Sequence, residues 1–233
     1  MKILALDTAT ENCSAALLVD GRLTARESLL ERGHAGAILE MIDAVLAERG
    51  LELGGVDAIA FGRGPGSFTG VRLAASVTQG LAFGAGVPVV PVSDLRAVAY
   101  RVLSAQPSAQ HILVCNDARM REVYWGCFSR SRDDPAAPAG IERVDRPAAV
   151  ALPAGWSADP PLLLGAGTGF NAYPELAALI PDASASIHCV YPRAADIAQL
   201  AVAEVADGRV FGPEMALPVY LRDNVVQIPA PGH

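Results

Sequence analysis

The strongest constraint on this chain is that one pattern occurs twice. Ile3-Leu4-Ala5-Leu6-Asp7 is an apolar run closed by an aspartate and a polar turn. Ile112-Leu113-Val114-Cys115-Asn116-Asp117 repeats it. Each run is followed by a second segment with strand character, Cys13 to Val19 and Glu122 to Phe128. Each half also carries a glycine-rich turn after an apolar run. One is Gly64 to Gly70, after Val56 to Phe61, and the other is Gly165 to Gly169, after Leu162 to Leu164. Two matching landmarks per half imply duplicated α/β lobes, each a meander first and helices after.

Between the landmarks the pattern fills in. Asp20-Gly21 is a hairpin signal, and Arg22 to Leu29 returns as a third strand. A helix is expected from Gly33 to Arg49 with two apolar stripes. His34, Ile38, Met41 and Val45 form one, and Ala35, Leu39, Ile42 and Leu46 the other. Together they are wider than packing on one sheet requires. The helix is either sandwiched within its own domain or faces a partner chain. Ser67 or Thr69 caps the helix after the first glycine turn, and Ser93 or Asp94 caps one that runs to Leu103. Ser131 to Gly140 reads as a mobile loop and Ile141 to Val144 as a strand. A short helix is expected at Tyr173 to Leu179 and another at Ala194 to Val205. The polar connector Ser104 to Gln110 places the lobe boundary, giving 1–108 and 109–212. A tail, 213–233, packs back on the lobes, with its last residues unstructured.

With 52% hydrophobic and 18% charged residues, the chain can bury a sizeable core. A net charge of −7 makes it a poor holder of a nucleic-acid backbone by itself. The four cysteines, Cys13, Cys115, Cys127 and Cys189, have neither knuckle spacing nor a disulfide framework. The opening apolar run is too short for a signal peptide or a membrane span, so a cytoplasmic protein is expected.

The loop Gly64-Pro65-Gly66-Ser67-Phe68-Thr69-Gly70-Val71-Arg72 fails both standard nucleotide tests. Val71-Arg72 stands where a P-loop needs Lys-Ser/Thr, and the spacing of Gly64, Gly66 and Gly70 has one residue too many for a dinucleotide fingerprint. A structural turn remains, with residual capacity for an anion at the helix start. Asp7, Asp117, Gly165 and Gly167 are candidate inter-lobe nucleotide contacts. The histidines His34, His111, His188 and His233 include no i, i+3 or i, i+4 pair, and no Gly-x-Ser-x-Gly elbow exists. The residues offer a cleft and no catalytic set.

The opening Ile3 to Thr10, the loop Gly64 to Arg72, the segment Asp117-Ala118-Arg119-Met120-Arg121-Glu122-Val123-Tyr124 and the tail Pro218 to Arg222 together resemble the TsaB family, also called YeaZ. The resemblance spans nearly the whole chain. It implies two ribonuclease-H-like lobes of the actin-like, sugar-kinase-like ATPase superfamily. It also implies a role in making threonylcarbamoyladenosine next to the anticodon of tRNAs that read codons starting with A. In that family the protein is a non-catalytic partner of TsaD, joined by the ATPase TsaE. It forms a homodimer when TsaD is absent and meets tRNA mainly through the complex. The implied interface is His34, Ile38, Leu39, Ile42, Leu46, Val71, Ala74 and Ala75. The catalytic paralogue holds metal with a His-x-x-x-His pair. Here His34 is followed four residues later by Ile38, so the resemblance implies a lost metal site, no required cofactor and at most weak ATP or ADP binding. The alternative is a stand-alone ATP-binding enzyme or a degenerate metalloprotease acting on TsaD.

Overall fold

The computed structural model describes residues 1–156, 162–180 and 182–222. The chain opens with a meander of β1 (Lys2–Asp7), β2 (Asn12–Val19) and β3 (Arg22–Leu29). Asp20 and Gly21 both have positive φ, 47° and 80°, as the tight turn between β2 and β3 requires. Helix α1 (His34–Glu48), β4 (Ala58–Gly62), α2 (Phe68–Ala85), β5 (Val89–Val92) and α3 (Asp94–Ala105) follow. The sheet runs β3-β2-β1-β4-β5, antiparallel through the meander and parallel beyond it.

The second half uses the same plan. Strands β6 (His111–Asp117) and β7 (Val123–Ser129) form the hairpin, with β8 (Ala137–Pro138) and β9 (Arg143–Asp145) both pairing β7. Then come β10 (Leu163–Ala166), the one-turn helices α4 (Gly169–Ala172) and α5 (Ala183–Ser186), β11 (Ile187–His188) and α6 (Ala194–Ala206). The order β11-β10-β6-β7-β8 is the first sheet's order read from its other edge. Both lobes are ribonuclease-H-like, and the pair is the actin-like fold.

Side chains alternate across each strand, so each sheet has two apolar faces to cover. Leu4, Leu6 and Leu17 meet Ile38, Ile42 and Val45 of α1 on one face of the first sheet, where α2 also packs. Ile3, Ala5, Ala16 and Leu18 on the other face meet Ile197, Ala198 and Ala201 of α6. Leu95, Val98 and Val102 of α3 meet Ile112, Val114 and Phe128 of the second sheet. Each half therefore lends a helix to the other half's sheet. The first sheet is built from residues before 108 and the second from residues after 109, but the packing of α3 and α6 crosses between them.

Three local expectations need correction. Residues 131–140 are pinned, because Ala136 is fully buried and Arg96 bonds both Asp134 Oδ2 (2.7 Å) and the Ala136 carbonyl (3.2 Å). The strand expected at Ile141 to Val144 starts two residues later, and Ile141 is exposed. Pro174–Leu179 is a 3-10 segment with α4 ahead of it. The expected unstructured end, from Pro229, lies outside the described residues.

Candidate functional site

A cleft of about 660 Å³ lies between the lobes. The β1–β2 turn, the N-terminal end of α1 and the glycine loop form its first-lobe wall. Asn116 to Arg119, with Thr168 and Asn171, form the second-lobe wall, and Val219 to Arg222 cross it. The tail ties both lobes. Val219 N–H donates to the Arg63 carbonyl (2.8 Å), while Arg222 donates to the Ala118 carbonyl (3.1 Å) and pairs with Glu122. Arg63 and Ser93 of the first lobe both reach Glu142 of the second.

The glycine loop is built by close backbone approach. Gly64 has φ of 99° and precedes a cis proline, and its N–H donates to Asp94 Oδ2 at 2.5 Å. Ser67 N–H donates to the Ala9 carbonyl (2.8 Å), and Thr8 Oγ1 donates to the Gly70 carbonyl (2.7 Å). A Cβ on Gly66 would stand 2.5 Å from the Ala9 oxygen, and one on Gly70 would collide with the Thr8 oxygen. The β1–β2 turn is thus seated directly on the start of α2. A helix start draws anions through its free N–H groups, but here protein backbone is packed against it. Ser67 is the cap, accepting from Gly70 N–H at 3.1 Å, and Thr69 lies inside the helix. Arg72 lies 3.5 Å over the Phe68 ring and donates to Tyr220 Oη at 2.6 Å.

The inter-lobe candidates separate. Asp117 lines the cleft, where its Oδ1 accepts from Arg119 N–H (2.8 Å) and Tyr173 Oη (3.1 Å). Arg119, Met120 and Arg121 after it all have φ between 55° and 61°, a left-handed turn that costs about 1–2 kcal/mol per residue. Asp7 is not in the cleft wall, being fully buried beneath the loop. Gly165 is covered by Phe170 and Ile180, and Gly167 packs on the Cys115 carbonyl, so both make room for protein. His34 is half-buried in the cleft wall, with Nε2 3.0 Å from the Thr10 carbonyl. Burial pushes the Cys13 thiol up to about 11 and Cys127 up to about 12, and it raises Cys115 further. Such thiols stay protonated and are poor nucleophiles at neutral pH.

Asp94 is the site residue that sequence reasoning read only as a helix cap. It is as fully buried as Asp7, and burial and the neighbouring Asp7 push its carboxyl well above the usual range. Burial also raises Asp7, to about 6. The sequence signal was two aspartates ending or following apolar strands that turn out to be neighbours across β4.

Residues 28–230 match the family model described as TsaD, tRNA N6-adenosine threonylcarbamoyltransferase. The Escherichia coli tRNA threonylcarbamoyladenosine biosynthesis protein TsaB is 38% identical, over 100% of this chain and 99% of its own length. The chain belongs to the TsaB family. YeaZ from Pseudomonas aeruginosa superposes with a TM-score of 0.85 at 44% identity, covering 94% of this chain and 99% of that one. A second Pseudomonas aeruginosa crystal structure, described as similar to peptidase YEAZ, gives 0.87 at 44% identity, over 95% and 99%.

Most of the residues expected at an interface on α1 and α2 are buried within the chain itself. Ile38, Ile42, Leu46, Ala74 and Ala75 are buried in the first lobe's own core, and Val71 is buried against Gly64 at the cleft wall. They turn inward because α1 and α2 must cover the apolar face of β1, β2 and β4. The exposed large apolar residues of these helices are Leu39 (48% exposed), Phe68 (50%) and Phe83 (81%). Gly36 and Gly80, also exposed, leave the surface beside them low. Among the described residues no group of three or more His, Cys, Asp or Glu side chains is placed to hold a metal. No described helix is long and apolar enough to cross a membrane.

Proposed function

We propose that this chain is a non-catalytic subunit in threonylcarbamoyl transfer to tRNA, acting by binding a TsaD-type transferase through the outer faces of α1 and α2. The observation that carries the reading is the β1–β2 turn seated on the start of α2. It commits the Ser67 N–H to the Ala9 carbonyl, and Ser67 Oγ takes the Gly70 N–H, so two of the N–H groups a phosphate would use at this helix start are already bonded. Membership of a family whose relatives are named for threonylcarbamoyladenosine biosynthesis supplies the pathway. Leu39 beside Gly36 on α1, and Phe83 beside Gly80 on α2, each give a low, exposed apolar spot that suits close helix packing by another chain. TsaE joining the assembly, a homodimer when the transferase is absent, contact with tRNA through the complex and a cytoplasmic location belong to the same reading. The open cleft leaves room for weak ATP or ADP binding, with no cofactor required.

The test is reconstitution with tRNA, threonine, bicarbonate, ATP and the other factors. Omitting this chain should abolish modification of tRNA while adenylate formation continues. Leu39→Glu and Phe83→Asp should lose the transferase in co-purification yet stay folded. ATP turnover or cleavage of the transferase by the purified chain alone would instead support the stand-alone enzyme or the degenerate protease, as would full modification in its absence.

A further inference from the structure

Asp7 ends β1 and Asp94 opens α3, and both are 0% exposed. The two carboxyls meet over the α-carbon of Gly62. A Cβ placed there would stand 2.5 Å from Asp94 Oδ1 and 2.6 Å from Asp7 Oδ1. Each carboxyl accepts one backbone bond, Asp7 Oδ1 from Ala9 N–H (2.8 Å) and Asp94 Oδ2 from Gly64 N–H (2.5 Å). That leaves Asp7 Oδ2 and Asp94 Oδ1, which are buried and find no hydrogen-bond donor in the structure. Two buried carboxylates side by side cannot both be ionised without a cation between them. Three charged or titratable groups surround the pair. His34 of α1 is turned to the Thr10 carbonyl, Cys13 of β2 is a protonated thiol, and Arg63 after β4 is engaged by Glu142. None of them donates a hydrogen bond to either carboxyl.

We infer that Asp7 and Asp94 share a single proton, and that the resulting carboxyl–carboxylate hydrogen bond latches the glycine loop to the β1–β2 turn. One proton satisfies both orphaned oxygens. The latch joins three segments. Asp7 holds the start of the β1–β2 turn through Ala9, Asp94 holds the loop through Gly64, and the Asp94 N–H returns a bond to the Gly64 carbonyl (3.1 Å). Because the turn and the loop form the first-lobe wall, the shape of the cleft depends on this proton.

The sign of the pH dependence follows. Both carboxyls are raised in the folded chain, so the folded state keeps protons that the unfolded chain releases near pH 4. Their contribution is therefore full below that value and is lost as pH rises through the raised titrations of the pair, about 6 for Asp7 and well above the usual aspartate value for Asp94. Asp94→Asn supplies a permanent N–H donor to Asp7 and removes the titration. In thermal melts of the full chain across pH 5 to pH 9, the difference in midpoint between Asp94→Asn and wild type should move in the variant's favour as pH rises, by about 3 °C or more. A protonated carboxyl stretch should be seen in the infrared spectrum of the wild type at neutral pH and be missing from the variant. A midpoint difference that does not change with pH would overturn the shared proton. Should Asp94→Asn fail to fold, carbon-13 titration of the wild-type aspartates decides. One buried carboxyl still protonated at pH 7 supports the latch, and all aspartates titrating below about pH 5 overturns it.

Discussion

Gly70 and Gly80 lie on the same helix ten residues apart, and they answer opposite demands. Gly80 has open space where a side chain would be, and a glycine inside a helix costs about 0.5–1 kcal/mol relative to alanine. Gly80→Ala should therefore stabilise the chain by that amount, read as a higher urea midpoint. Gly70 is pressed against the Thr8 carbonyl. Gly70→Ala should push the β1–β2 turn off α2 and cost about 1–3 kcal/mol, the range for overpacked sites. At this scale the sequence was half legible. The spacing of Gly64, Gly66 and Gly70 ruled out two nucleotide motifs. It could not reveal that these glycines make way for Thr8 and Ala9, because that contact spans some sixty positions of chain. Asp94 was opaque for the same reason. Nothing next to it in the sequence announces that Asp7 is its neighbour.

Elements were the most legible level. Strand runs and the Asp20-Gly21 turn rest on local chemistry that a sequence displays, as do the cap pairs Ser67 or Thr69 and Ser93 or Asp94, of which the structure uses Ser67 and Ser93. Ser67→Ala removes the acceptor of the Gly70 N–H at the start of α2. It should cost about 1 kcal/mol in chemical denaturation, as other capping losses do. What local chemistry left undecided was the rotation of α1. Both of its stripes are apolar, so hydrophobic period alone cannot say which one meets β2. The structure turns Ile38, Ile42, Val45 and Leu46 inward and Leu39 outward. Leu39→Glu should accordingly change the stability read from chemical denaturation by no more than about 0.5 kcal/mol, the usual effect of an exposed substitution. Its effect is expected in co-purification of the transferase, which separates a surface role from a core role.

At the scale of the molecule, the duplication of the lobes was legible because it leaves two landmarks in each half. The exchange of helices was not. The apolar periodicity of α3 and α6 shows that each has a face to bury, but a periodicity carries no address. The addresses are set by the two sheets stacking with α3 and α6 between them, so that Leu95 and Val98 meet Ile112 while Ile197 and Ala201 meet Ile3 and Ala5. The ties from Arg63 and Ser93 to Glu142, and from Arg222 to Glu122, add polar bonds across the same seam.

The exchanged helix has a consequence for biosynthesis. During translation the first sheet is complete once β5 leaves the ribosome, yet one of its faces stays bare until α6 is made about a hundred residues later. The nascent chain must carry Ile3, Ala5, Leu18 and Val90 unshielded through that interval. A fragment ending at residue 108 should therefore be captured by holdase chaperones and bind a hydrophobic dye, whereas residues 1–222 should do neither. Adding α6 as a separate peptide should restore solubility to the fragment, as a late-arriving strut completes a frame already standing.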